Sequence, residues 1–315
     1  MKPIITILGP TATGKTRLAA LLALELGAEI VSADSRQVYR KMDIGTGKDL
    51  SDYQINGIQI PFHLIDIVEP GVEYNVFQYQ QLAHKAIQEI QNKGKETILC
   101  GGSGMYIEAL LKGYKLFPVP ENQTLRSEWA SFSEKQLSIL LAQFKSLHNH
   151  TDTENRERLY RALEIEYYYQ QHPELMEIAT PIPSIIFGLK GDRDLIRSKI
   201  TKRLKERLEN GMIEEIQQMI DEGVNVNQLI RYGLEYKFVT QYLLKEIDYK
   251  TLFDRLNIAI HQFSKRQMTW FRKMEREGFI IHWIDISLTE QEKMDRIKTV
   301  ILEKRCKFAN QIKIL

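Results

Sequence analysis

The chain has 315 residues, 43% of them hydrophobic and 27% charged, with a formal net charge of +2. That length exceeds one ordinary domain of roughly 100–200 residues, so a large domain with an insertion, or two domains, is expected. The near-neutral balance excludes a chain whose charge alone would mark a nucleic-acid binder, leaving any basic footprint to local clusters. Two cysteines, Cys100 and Cys306, are too few for a disulfide framework or a four-cysteine zinc site. No apolar run approaches the length of a membrane span, and Met1-Lys2-Pro3 leads straight into a strand, so a cytoplasmic protein without a signal peptide is expected.

The β-branched run Ile4–Leu8 enters Gly9-Pro10-Thr11-Ala12-Thr13-Gly14-Lys15-Thr16, and Arg17–Leu26 then reads as a helix stopped by Gly27. This is a P-loop in its proper strand–loop–helix setting. Glycines let the backbone curl so that amides face phosphate oxygens, and the helix N-terminus adds its positive dipole. Lys15 is placed to neutralise an outer phosphate and the Thr16 hydroxyl to ligate Mg²⁺. The motif indicates a bound di- or triphosphate without naming the molecule.

Residues 28–34 read as a second strand, delivering Asp34 to the carboxyl edge beside the P-loop, where ligands sit in open α/β sheets. Lys41–Lys48, with Gly45-Thr46-Gly47, reads as a mobile loop, and Phe62–Ile67 as a short buried strand ending near Asp66. A helix over 77–93 stops at Lys93-Gly94, and Thr97–Cys100 is a strand opening into Gly101-Gly102-Ser103-Gly104. Cys100 is expected to be plain core. Alternating strands and helices predict a parallel sheet covered on both faces, an α/β P-loop core.

Prolines at Phe117-Pro118-Val119-Pro120 and Pro181-Ile182-Pro183 bracket a helical, polar stretch, so residues 118–183 are predicted as an inserted helical subdomain. The core then comprises 1–117 and 184–290, and 291–315 forms a C-terminal tail. Ser184–Leu189 and Phe279–Ile284 read as core strands, the latter at an edge, with helices broken at Gly211, Gly223 and Gly233 between them. Residues 193–207 carry seven basic and two acidic side chains, Lys265–Lys273 interleaves basic residues with aromatics, and Asn155–Arg161 is a third basic segment. Each alone suits a solvated helix face. Together with a P-loop they suggest a polyanionic partner.

Six segments in order resemble the tRNA dimethylallyltransferase (isopentenyl-diphosphate:tRNA transferase) family: Gly9–Thr16, Ala33-Asp34-Ser35-Arg36-Gln37-Val38-Tyr39, His63–Asp66, Gly101–Tyr106, Asn155–Glu164, and Lys265-Arg266-Gln267-Met268-Thr269-Trp270-Phe271-Arg272. The resemblance spans residue 9 to about 284. It implies that the P-loop holds dimethylallyl diphosphate and that the prenyl group goes to N6 of the adenosine just 3′ of the anticodon, in tRNAs reading codons that begin with U. It implies Asp34 as general base, adenine contacts from Ser35, Arg36 and Gln37, and an insertion that grips the anticodon stem-loop. It extends tRNA contact to Ser103, Arg126, Glu157, Arg158, Arg161, Arg266 and Gln267, and it offers Arg193 as a second catalytic cation. A monomer is expected. The segment Arg231-Tyr232-Gly233-Leu234-Glu235-Tyr236 and the helix start at Glu73–Phe77 depart from the family pattern, the cysteine-dependent C-terminal zinc finger of eukaryotic members is missing, and Lys304–Leu315 matches nothing.

The residue chemistry fits independently. Cleavage of an allylic diphosphate leaves negative charge on the departing group, which inward-facing amides and Lys15 would stabilise. Adenine N6 is a poor nucleophile and needs a proton acceptor such as the Asp34 carboxylate. Asp34 could instead be a metal-site carboxylate, and Asp66 competes for that role or serves as a cap. A stacked base cannot reach such a crevice, so the nucleotide must flip out. Rival readings are a small-molecule P-loop kinase, a prenyltransferase acting on free AMP, and an RNA-binding module with a relic P-loop.

Overall fold

The computed structural model describes residues 2–144, 153, 155–173 and 180–312, with side chains as far as Lys304. The Cys306 side chain and the end of the tail lie outside them. The chain divides into a unit of Met1–Lys112 with Pro181–Leu315 and a second of Gly113–Thr180. The predicted insertion at 118–183 thus falls within a few residues of the second unit.

In the first unit β1 (Ile4–Leu8), α1 (Lys15–Leu26), β2 (Glu29–Ser32), β3 (Gln54–Ile55), β4 (Ile58–Gln59), β5 (Phe62–His63), α2 (Val76–Asn92), β6 (Thr97–Gly101) and α3 (Gly104–Lys112) precede the insertion. Within the second unit lie α4 (Gln123–Glu128), α5 (Glu134–Phe144) and α6 (Arg156–Gln171). The first unit resumes with β7 (Ser184–Lys190), α7 (Arg193–Glu209), α8 (Met212–Asp221), α9 (Val226–Tyr232), α10 (Leu234–Leu243), α11 (Tyr249–Arg276), β8 (Ile281–Asp285) and α12 (Glu290–Ile312).

The main sheet runs β5-β2-β6-β1-β7-β8 with every pairing parallel. All five residues of β1 are buried, as a strand covered on both faces requires. Period-2 alternation divides them. Ile5 and Ile7 join a core with α1, α7, α8 and α11, whereas Ile4 and Leu8 join another with α2, α3 and the end of α11. β8 is the edge strand, as predicted. No helix among the described residues is long and apolar enough to cross a membrane.

The predicted strand at 62–67 shrinks to Phe62–His63 because Leu64 and Asp66 adopt φ of 65° and 55°. Helix α2 starts where Asn75 and Gln78 form a capping box. Leu82 faces solvent, and the buried stripe is Tyr79, Ala83, Ala86, Ile87 and Ile90. Asn56-Gly57, at φ of 52° and 78°, closes the β3–β4 hairpin.

The second unit has its own small core of Trp129, Leu137, Leu141, Leu159 and Leu163. Beside it the Glu164 carboxylate, with no exposed side-chain surface, accepts hydrogen bonds from Arg126 Nε at 2.6 Å and the Asn122 amide at 2.9 Å.

Candidate active site

β1 ends at Leu8 and the P-loop turns above it. Gly14 takes φ 77° as it caps α1, a conformation that favours glycine. The loop is braced by its own polar groups. Thr13 Oγ1 and Lys15 Nζ both donate to the Pro10 carbonyl, each at 2.8 Å. Burial drives the Lys15 pKa down to about 8, with Arg203 adding to the effect and the Asp34 carboxylate opposing it.

The neighbouring strands deliver the second half. A Cβ on Gly101 would fall 2.1 Å from the Ala33 carbonyl oxygen, so only glycine lets β6 end this close to β2. The approach is sealed by Ala33 N–H donating to the Cys100 carbonyl at 2.7 Å and Ser103 N–H to the Ala33 carbonyl at 3.1 Å. Ser103 Oγ then accepts from Ser35 N–H at 3.0 Å. Asp34 Oδ1 accepts the amides of Arg36 at 2.9 Å and Gln37 at 3.4 Å. One carboxylate oxygen is thus fixed in a turn.

These segments enclose a cavity of about 420 Å³ lined by Thr11–Thr16, Asp34–Gln37, Gly45–Gly47, Cys100–Tyr106, Ile260, Phe263, Arg266, Gln267 and Trp270. Of the predicted phosphate residues, Gly9 and Pro10 stand behind the wall and the other six line it. Cys100 is buried, as expected for core, but it also reaches the cavity. Ser35, Arg36, Gln37, Ser103 and Arg266 line it as well. The Arg36 guanidinium lies 5.3 Å from the Phe263 ring centre and 3.7 Å from Glu235, and Arg266 covers the same ring at 5.9 Å. Gln37 Nε2 donates to the Gly47 carbonyl at 3.0 Å.

Several placements differ from the sequence reading. Arg193 is exposed at the first turn of α7 and does not line the cavity. Asp192 caps that helix, its Oδ1 accepting from the amides of Asp194 and Leu195, and the arginine is left at the surface. Instead, Arg203, three turns along the same helix, reaches the cavity. It donates to Thr11 Oγ1, and burial, reinforced by Arg207, lowers its pKa to about 10. A cation desolvated in this way favours an anionic ligand. The signal was present in the sequence: residues 196, 200, 203, 204, 207 and 208 share one helical face, and Arg203 and Arg207 are cations among apolar positions. Asp49, Asp52, Arg207 and Glu235 also line the cavity and were missed.

Asp66 pairs with the buried Lys48 ammonium, which also meets Asp43 at 2.7 Å and the Tyr39 carbonyl at 2.8 Å. It is structural. The 41–48 loop is tied down rather than loose: the Glu215 carboxylate accepts the amides of Asp43, Ile44 and Gly45 at 2.9, 2.7 and 3.1 Å. Gln267 is committed within the protein, its Oε1 accepting Thr11 N–H and its Nε2 donating to the Gly102 carbonyl, both at 2.9 Å. Arg126, Glu157, Arg158 and Arg161 belong to the second unit. Arg126 is spent on Glu164, and Arg161 on the Val119 carbonyl at 2.7 Å and on Glu164 at 3.4 Å.

For Mg²⁺, Thr16 shares the cavity with the carboxylates Asp34, Asp49 and Asp52, a hard-oxygen set that suits the ion. Among the described residues no group of three or more His, Cys, Asp or Glu is arranged around a metal position.

A family model described as IPP transferase matches residues 37–274. A tRNA dimethylallyltransferase of Bacteroides fragilis is 53% identical over 300 residues, which cover 95% of this chain and 98% of that protein. One from Parabacteroides distasonis is 54% identical over 292 residues, covering 92% and 95%. The crystal structure of the full-length tRNA isopentenylpyrophosphate transferase of Bacillus halodurans is similar at a TM-score of 0.72 and 30% identity, covering 98% of this chain and all of that one. A eukaryotic dimethylallyltransferase acting on tRNA shares the fold at a TM-score of 0.70 and 20% identity, covering 91% and 74%. With a model match over most of its length and relatives identical at more than half their positions, the chain belongs to the IPP transferase family.

Proposed function

We propose that this chain transfers the dimethylallyl group of dimethylallyl diphosphate to N6 of the adenosine just 3′ of the anticodon, in tRNAs that read codons beginning with U, releasing diphosphate. The relatives named above as tRNA dimethylallyltransferases support the reaction class. The observation that carries the reading is that one cavity is lined both by a phosphate cradle after β1 and by the Asp34 carboxylate after β2, one strand beyond β6.

The diphosphate lies against the amides from Ala12 to Thr16, with Lys15 and Arg203 as its cations. As the allylic C–O bond breaks, the departing diphosphate gains charge that these fixed groups already face. Thr16 would hold Mg²⁺, which when bound adds positive charge at the leaving group. Adenine, flipped from its stack, enters from the side of Asp34 and the Arg36–Phe263–Arg266 rim. The N6 nitrogen bonds to the allylic carbon while Asp34 takes one N6 proton through the carboxylate oxygen not fixed by the turn. The Asp34 turn and the Ser35–Ser103 hydrogen bond set the direction of that oxygen. We further assign the protein to the cytoplasm, working as a monomer.

The test supplies purified protein with Mg²⁺, labelled dimethylallyl diphosphate and either an unmodified anticodon stem-loop or AMP. Label on the stem-loop alone supports the proposal. Label on AMP would keep the chemistry and replace the acceptor. No transfer with ATP hydrolysis in parallel would return the P-loop to a kinase.

A further inference from the structure

Gln267 was placed by resemblance among the RNA contacts, and its surroundings give it other work. It is 7% exposed. One side-chain atom holds a P-loop amide, Thr11 N–H to Oε1, and the other holds the loop after β6, Nε2 to the Gly102 carbonyl. A Cβ on Gly102 would sit 2.4 Å from Nε2, so the amide reaches the turn this closely only because residue 102 is a glycine. Both tethered segments are walls of the cavity, and Ser103, the next residue, carries the hydroxyl that accepts Ser35 N–H beside Asp34. Along α11, Ile260, Phe263, Gln267 and Trp270 form one stripe facing the cavity.

We propose that Gln267 is a positioning residue that clamps the P-loop to the Gly102–Ser103 turn and so sets the diphosphate cradle in register with Asp34, without touching RNA. Because Thr11 N–H is spent on Gln267, the cradle of free amides starts at Ala12. This deepens the function proposed above and rests on it for the donor, but the clamp can be tested on diphosphate alone.

Two variants separate the possibilities. Gln267→Met keeps the length and loses both hydrogen bonds. Gln267→Glu keeps the acceptor for Thr11 N–H but sets a carboxylate oxygen against the Gly102 carbonyl. Each is titrated with Mg²⁺ and inorganic pyrophosphate in the absence of RNA, then with the unmodified stem-loop in the absence of donor, and melting is recorded alongside. Two lost buried hydrogen bonds are expected to weaken pyrophosphate binding about tenfold in Gln267→Met, with Gln267→Glu in between and stem-loop binding within about twofold of wild type in both. Steady-state turnover is expected to show a raised KM for the donor and an unchanged KM for the stem-loop. Weakened stem-loop binding with intact pyrophosphate binding would overturn the proposal in favour of an RNA contact. Unchanged pyrophosphate binding in both variants would overturn it as well. If Gln267→Met fails to fold, Gln267→Glu decides by the same comparison. Failure of wild-type transfer to RNA would count against the function proposed and leave the pyrophosphate result standing.

Discussion

At Arg203 the helix supplies a half-buried cation that meets the P-loop through Thr11. Its counterpart in the sequence reading, Arg193, follows a core strand and lies in the same basic run, yet its place at the capped start of α7 turns it to solvent. The pair gives a direct comparison. Arg203→Gln should raise the KM for dimethylallyl diphosphate by ten- to a hundredfold, the loss of about 1.5–3 kcal/mol for a charge-assisted contact, while Arg193→Gln should leave it within twofold. Initial rates against donor concentration check both, and equal effects would show that α7 acts as a diffuse basic surface. The same distinction explains what was legible at this scale. Glycine spacing and a following Lys-Thr identify a phosphate loop because the backbone geometry needs those residues, and Asp34 follows from its place at a strand end. Which cation of a basic helix faces inward depends on the helix's rotation against α11, a tertiary fact visible only as a charge on the apolar stripe of Ile196, Ile200 and Leu204.

Elements fared better than their boundaries. β-branched runs located the sheet strands, and proline punctuation bracketed the insertion, whereas the two residues of β5 reflect left-handed turns at Leu64 and Asp66 that no periodicity announces. Strand order was not legible, because parallel neighbours are chosen by crossover packing rather than by local pattern. In the second unit the basic segment Asn155–Arg161 suggests a polyanionic partner from composition, and its helix α6 also carries Glu164, whose buried carboxylate holds Arg126 and meets Arg161, itself still partly exposed. Removing Arg126 leaves the buried Glu164 carboxylate only the Asn122 amide and the longer contact from Arg161. Arg126→Met should destabilise the second unit by about 3–5 kcal/mol, read as faster amide exchange over 123–128 and 156–171. Its stem-loop affinity should fall only as far as that unit unfolds. Lost affinity with unchanged exchange would restore Arg126 to the RNA surface.

Across the whole molecule, the chemical edge of the sheet and its opposite edge are stabilised differently. At the amino end of β2, Glu29 is 3% exposed. Burial pushes its pKa up, but hydrogen bonds from Lys95 at 2.8 Å and His63 at 2.7 Å, with Lys93 nearby, prevail and hold it at about 2. A carboxylate depressed on folding stabilises the native state above its unfolded pKa, near 4.5, and that stabilisation is lost as pH falls from there toward 2. The shift corresponds to about 3 kcal/mol at neutral pH. Glu29→Gln should therefore unfold at lower urea than wild type at pH 7, with the gap closing by pH 2–3. A constant gap across that range would place the effect in packing instead of charge.

The proposed reaction needs one cavity to align a diphosphate cradle with a proton-accepting carboxylate. Asp34→Asn tests it most directly, since the amide oxygen can still accept from Arg36 and Gln37 and preserve the turn. Single-turnover transfer from dimethylallyl diphosphate to the anticodon stem-loop is measured beside stem-loop binding in the same preparations. Transfer is expected to slow by about 10²–10⁴-fold with RNA affinity within a few fold of wild type. Transfer at the wild-type rate, or affinity lost in step with rate, would contradict the proposed role of Asp34.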